Sequence, residues 1–162
     1  MGTSADQDTT PGHGAAGRHS VRILLATDGS ETAHAAGRFL AELLAPGIAQ
    51  VHLLTVLSDA LYPHGSFGER LSDDDERHAA IQEQEAAAFG ELRQVFRSGG
   101  HKVTTGRRFG NPTMEILSEA REWGPDLIVA GRRGLGRAKS LVLGSVSERL
   151  LHEANVPVLI VP

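Results

Sequence analysis

Four short, almost unbroken apolar runs recur along this chain, and segments of helical periodicity separate them. That alternation restricts the fold more than any other feature. The run at 21–27, VRILLAT, offers no polar face. Both of its sides must be covered, which suits a strand inside a parallel sheet. Runs at 50–57, 126–130 and 158–161 read the same way, while 102–109 is more polar and belongs at a sheet edge. Between them lie four helices. The first spans 31–45, with Ala33, Ala36, Leu40 and Leu44 on one face and Pro46-Gly47 as its stop. The second opens at Ser72-Asp73-Asp74-Asp75, and only Glu85 interrupts its stripe of Ile81, Ala88, Leu92 and Val95 before Gly99-Gly100. The third starts at Asn111-Pro112 and runs to Trp123, with Ile116, Leu117 and Ala120 inward. The fourth covers 145–154. The expected fold is therefore α/β: a single-domain, open, mainly parallel five-stranded sheet with helices on both faces, Rossmann-like. Residues 1–20 are small, polar and glycine-rich and are expected to form a disordered tail to a domain at 21–162. The connection at 58–72 reads either as mobile surface or as a flap over a ligand.

The fourth apolar run ends in a loop with unusual content, GRRGLGRAKSLVLGSV over 131–146. A strand, a glycine-rich loop and a helix start, in that order, can make a phosphate cradle. Glycines let a ligand reach the backbone, and the first amides of a helix attract an anion. Ser145 can serve as an N-cap or as a phosphate contact. Arg132, Arg133, Arg137 and Lys139 bring four cations into the same loop. An ordinary solvated loop is the competing reading. No Walker A sequence and no Gly-x-Gly-x-x-Gly fingerprint occurs.

Gly131, two residues, Gly134, nine residues, then Gly144-Ser145 resembles the G-2x-G-9x-G-S/T signature of the ATP-binding branch of the universal stress protein family. Four other stretches are similar to that family: ATDGSETA after the first strand, LLTVLSD along the second, GNPTMEIL at the third strand–helix junction, and NVPVLIVP at the end. The resemblance covers about 21–161 and implies strand order 3-2-1-4-5. It implies that Asp28 and Gly131 hold a ribose, that the backbone of Val56 reads an adenine, and that Ala26-Thr27 line the base pocket. By the same resemblance Gly134, Gly144, Ser145 and Val146 take the phosphates; Arg132, Arg133, Arg137 and Lys139 fall in the signature's variable gaps, where their charge either helps bind a triphosphate or stays in solvent. The implied ligand is ATP with Mg2+ or Mn2+, the metal facing Asp28 through the bound nucleotide. Read without the resemblance, Asp28 is a cap on the first helix.

Nothing in the loop supplies a general base, and no HExxH, close acid pair or GxSxG elbow occurs. His34 and His152 read as surface residues. ATP binding with weak or no hydrolysis is expected, in a nucleotide-responsive stress regulator that works through protein partners. Two other classes stay open: a slow ATPase or nucleotidyl-transfer enzyme of this fold, and a dimeric interaction module without nucleotide. The resemblance implies a homodimer through the strand edge at 157–161, against which Pro157 and Pro162 argue as edge blunters. A net charge of −4 disfavours a general nucleic-acid surface. The chain has no cysteine, which removes disulfides and thiol chemistry. No apolar run approaches the roughly 20 residues a membrane span needs, and no signal peptide pattern opens the chain. A cytoplasmic protein is expected.

Overall fold

The structure, a computed structural model, describes residues 20–57, 71–134 and 143–162, with the side chains of 71–77 excepted. The elements follow in strict alternation: β1 Val21–Ala26, α1 Glu31–Leu43, β2 Ala49–Leu57, α2 Leu71–Ser98, β3 Lys102–Phe109, α3 Pro112–Trp123, β4 Leu127–Gly131, α4 Ser145–Glu153 and β5 Val158–Val161. All four strand pairings are parallel and the order is β3-β2-β1-β4-β5. The chain builds outward from β1 to β3 and then crosses back to the other side of β1. The β1–β4 boundary is therefore where strand order reverses, and the carboxyl ends of those strands open a crevice.

The continuous apolar character of β1 has the expected cause. Ile23 and Leu25 point to one side, where Val51, Leu53 and Val129 join Ala36 and Leu40 of α1 and Ala88, Phe89, Leu92 and Phe96 of α2. Leu24 points to the other, where Leu54 and Ile128 meet Ile116 and Leu117 of α3 and Leu150 of α4. β3 alternates between exposed and half-buried positions, as an edge strand should.

Several sequence expectations shift at their ends. α1 stops at Leu43, two residues short of 45, because Leu44 turns extended ahead of Pro46. β4 takes in Gly131 and begins at Leu127. The inner face of α2 uses Phe89 and Phe96 and leaves Val95 half-buried. Glu85 is not a break in packing, since it pairs with Arg107 of β3 at 3.0 Å. The connection at 58–70 lies outside the described residues, as does the tail at 1–19. No helix among the described residues is long and apolar enough to cross a membrane.

Under α3 two elements share a polar cluster. His52 of β2 stacks on Trp123 at 5.3 Å between ring centres. Its Nδ1 lies 2.8 Å from Thr104 Oγ1, and its Nε2 is 3.2 Å from Glu119 Oε1. Arg108 of β3 closes the cluster by donating to Glu119 Oε2. Burial pushes the His52 imidazole below its ordinary value of 6.5, with the Glu119 charge opposing and Arg108 assisting. Burial does the same to His101. Both folded-state values lie below the unfolded one, so the unfolded chain binds more protons on these rings. Stability is then complete above pH 6.5 and falls as the pH drops toward and through the folded values. Urea unfolding midpoints should decline from neutral pH to about 5, and His52→Gln should flatten that decline. A midpoint that holds steady or rises over this window would contradict the assignment.

Candidate functional site

The turn after β1 forms one wall of the crevice. Thr27 N–H donates to Leu54 O at 2.9 Å, the last link between β1 and β2. The buried Thr27 hydroxyl donates to Ala88 O of α2 at 3.4 Å and accepts from Gly29 N at 3.3 Å. Asp28 follows, and its Oδ1 accepts from Ser30 N at 3.0 Å. The helix cap is Ser30, whose hydroxyl accepts from Ala33 N at 3.2 Å. The alternative reading of Asp28 as the α1 cap is therefore set aside: Asp28 stands two residues ahead of the cap, at the mouth of the crevice.

Val56 lies two residues beyond Leu54 on β2, paired among the described residues only with Arg108 of β3. Backbone groups of alternate residues on a strand face opposite neighbours. Leu54 O faces β1, so the N–H and C=O of Val56 face the β1 side as well, where β1 has already turned away. Ala26 ends β1 on the α3–α4 side and, like Val56, packs there partly buried.

The other wall is the end of β4. Gly131 is buried against the first turn of α1, and a Cβ there would come within 2.8 Å of the Thr32 carbonyl and 2.9 Å of Ala33 N. Backbone cannot retreat as a flexible side chain can, so the close approach requires glycine. Ser147 Oγ donates to Gly131 O at 2.8 Å. Arg132 N donates to Val161 O at 2.7 Å, and Gly144 N donates back to Arg132 O at 2.9 Å. Thr32 Oγ1 donates to Arg133 O. Gly134 comes so near Asp28 that a Cβ would overlap the Asp28 Oδ2 atom. The two walls thus meet across the crevice at Asp28 and Gly134.

α4 starts at the same place. Its N-cap is Gly144, with extended backbone and no side-chain cap hydrogen bond, and the first intrahelical bond is Glu148 N to Gly144 O at 2.9 Å. Ser145 is the first helical residue and does not act as the cap. It stands exposed beside Val146, and the N–H groups of 145–147 have no acceptor inside the helix. Arg132 and Arg133 are half-buried, and the Nε of each has no hydrogen-bond partner among the described residues. Arg137 and Lys139 lie outside the described residues.

Ala26, Thr27, Asp28, Val56, Gly131, Arg132, Gly134, Gly144, Ser145 and Val146 therefore gather at one end of the sheet, on β1, β2, β4 and α4. Sequence reading missed the hydroxyls of Thr32 and Ser147. A threonine or serine in the first turn of a helix carries no distinctive signal until a carbonyl is found opposite it. The histidines are elsewhere. His34 spans the α1–α2 seam, with Nδ1 3.2 Å from Glu91 Oε2 and Nε2 2.9 Å from Ala87 O. His152 is exposed on α4. A groove of about 410 Å³ between α2 and β3 is lined by Gln82, Glu85, Phe89, Arg93 and Arg107 among others, and by none of the gathered residues.

A sequence model of the universal stress protein family matches residues 20–162. Universal stress protein Sll1654 of Synechocystis is 33% identical over 141 residues, 86% of this chain and 84% of its own. Universal stress protein MJ0531 of Methanocaldococcus jannaschii is 27% identical over 143 residues, 86% of this chain and 81% of its own. Among solved structures, hypothetical protein MJ0577 superposes with a TM-score of 0.75 at 27% identity, over 88% of this chain and 96% of that one. Two others share the fold: a universal stress protein in complex with cAMP, with a TM-score of 0.58 at 21% identity over 88% and 97% of the two chains, and an Arabidopsis thaliana family protein with AMP bound, with a TM-score of 0.64 at 18% identity over 87% and 90%. The parallel sheet in the order β3-β2-β1-β4-β5 and these sequence matches agree, and the chain belongs to the universal stress protein family.

Proposed function

We propose that residues 21–162 form a nucleotide-binding domain that takes ATP in the crevice between Asp28 and the Gly131 loop and acts as a nucleotide-responsive stress regulator. One observation carries this reading: Gly131, Gly134 and Gly144 each sit against backbone or carboxylate that a Cβ would crowd, at the mouth of a helix whose first N–H groups have no internal acceptor. Those free N–H groups suit an anion, and the outward-facing N–H and C=O of Val56 suit the edge of a base. Adenine nucleotides in the cAMP and AMP complexes of family proteins support the same ligand class.

In this reading Asp28 and Gly131 face the ribose, and Ala26-Thr27 flank the base. Gly134, Gly144, Ser145 and Val146 approach the phosphates, with Arg132 adding positive charge. The donor set fits a divalent cation only in one way. Among the described residues no three His, Asp or Glu side chains are placed to hold an ion. Mg2+ would therefore arrive on the phosphates, with Asp28 as the carboxylate nearest to it. Turnover is weak or absent in this proposal, because Asp28, the one carboxylate of the gathered set, is given to the ribose and the metal, and no second base stands beside it to activate a water.

We also propose a homodimer through β5. That strand ends the sheet and holds Val158, Leu159 and Ile160 only half-buried. Native mass spectrometry of protein purified from cells tests both parts. A mass of two chains carrying adenine nucleotide is expected, with ATP released on heat denaturation. An empty protein that also ignores millimolar Mg-ATP would overturn the binding assignment, and a single-chain mass would overturn the dimer.

A further inference from the structure

We infer that Thr32 is a positioning residue for the phosphate end of the crevice, an inference that rests on the nucleotide reading above. Three successive carbonyls leave β4, and each is occupied by a different donor. Ser147 Oγ takes Gly131 O, Gly144 N takes Arg132 O, and Thr32 Oγ1 takes Arg133 O. A phosphate at neutral pH accepts hydrogen bonds and repels bare carbonyl oxygens. Tying these oxygens to protein donors leaves the N–H groups at the start of α4 as what this end of the crevice offers an anion.

Thr32 differs from the other two donors in what stands behind it. Its hydroxyl lies 3.2 Å from Ser30 Oγ, and Ser30 Oγ accepts from Ala33 N at 3.2 Å. The proton directions are consistent along the whole row: Ala33 N–H donates to Ser30, Ser30 to Thr32, and Thr32 to Arg133 O. Ser30 is also the residue whose N–H Asp28 holds. The row therefore joins the β1 wall to the β4 wall through the first turn of α1. Gly131 makes the join possible, since a Cβ there would meet the Thr32 carbonyl at 2.8 Å. Thr32 is half-buried, so its hydroxyl is partly shielded from competing water.

Thr32→Val keeps the shape and removes the donor. It frees Arg133 O and cuts the row, so affinity for Mg-ATP should fall roughly ten-fold. Affinity for adenosine, which makes no phosphate contact, should change by less than about two-fold. Thr32→Ser should restore ATP binding. In the protein without nucleotide, amide exchange at 131–134 should be faster in Thr32→Val than in the wild type and normal in Thr32→Ser. Equal losses for ATP and adenosine, or an unchanged ATP affinity, would overturn the inference. So would unchanged amide exchange, and that measurement stands even if the wild type binds no nucleotide at all. Nucleotide binding by the wild type with no effect of Thr32→Val would overturn the role of Thr32 and leave the proposed function intact.

Discussion

Gly134→Ala is expected to lower affinity for Mg-ATP by roughly ten-fold or more while barely moving the unfolding midpoint. The reason is space and not backbone angle, since Gly134 is not among the glycines with positive φ. A Cβ at this position would overlap Asp28 Oδ2, so the carboxylate must swing away. Asp28 is half-buried and Gly134 exposed, so the displaced group has room to move and the core is untouched. The cost to folding includes the Asp28–Ser30 hydrogen bond, on the order of 1 kcal/mol. The proposed site loses more, because both of its walls meet at this contact. Calorimetric titration with Mg-ATP reads the affinity, and thermal unfolding reads the fold. A variant that binds like the wild type would show that the Asp28–Gly134 approach does not border the ligand. A variant that unfolds ten degrees earlier would show that the contact belongs to the fold.

The fold was legible because its strands announce themselves. A buried strand such as Leu24-Leu25 has to be apolar on consecutive residues, and that is visible without a structure. The edge position of β3 was legible for the converse reason: Lys102, Thr104 and Arg107 are polar and stay exposed. Strand order is another matter. It depends on which way each crossover turns, and family resemblance supplied it. The glycine spacing pointed to the β4 loop, yet it did not show that Gly144 caps α4 in place of Ser145, since either residue can take extended backbone ahead of a helix. Thr32 and Ser147 were hidden because a hydroxyl acquires a role only from the carbonyl it meets 101 or 16 residues away. α2 was read only in part for a related reason. Ile81, Ala88 and Leu92 are buried as the periodicity requires, but Glu85 and Val95 are half-buried, and the true stripe takes in Phe89 and Phe96 in their place.

That true stripe carries the second large effect. Phe96→Ala should destabilise the protein by about 3–5 kcal/mol. Phe96 is wholly buried, on the side of the sheet shared with Leu92, Phe89 and Leu40, and its ring meets His101 edge-on at 6.2 Å. Neither neighbour can collapse freely into the space it would vacate. Leu92 already crowds Gly37, where α1 and α2 approach most closely, and His101 is held by Ala49 N at 3.4 Å. For a chain of this length the loss corresponds to a fall in Tm of roughly 6–20 °C. Phe39→Ala is the matched control. Phe39 lies on the outer face of α1 at 42% exposure, so the same truncation should stay within about 0.5 kcal/mol. The proposed site draws on β1, β2, β4 and α4, with Thr32 of α1 behind it, and touches α2 through the Thr27–Ala88 bond. Phe96→Ala at a temperature where it remains folded should therefore bind ATP within a few-fold of the wild type. A Phe96→Ala variant as stable as Phe39→Ala would mean that the C-terminal half of α2 does not pack on the sheet, and the support for Thr27 at the base pocket would go with it.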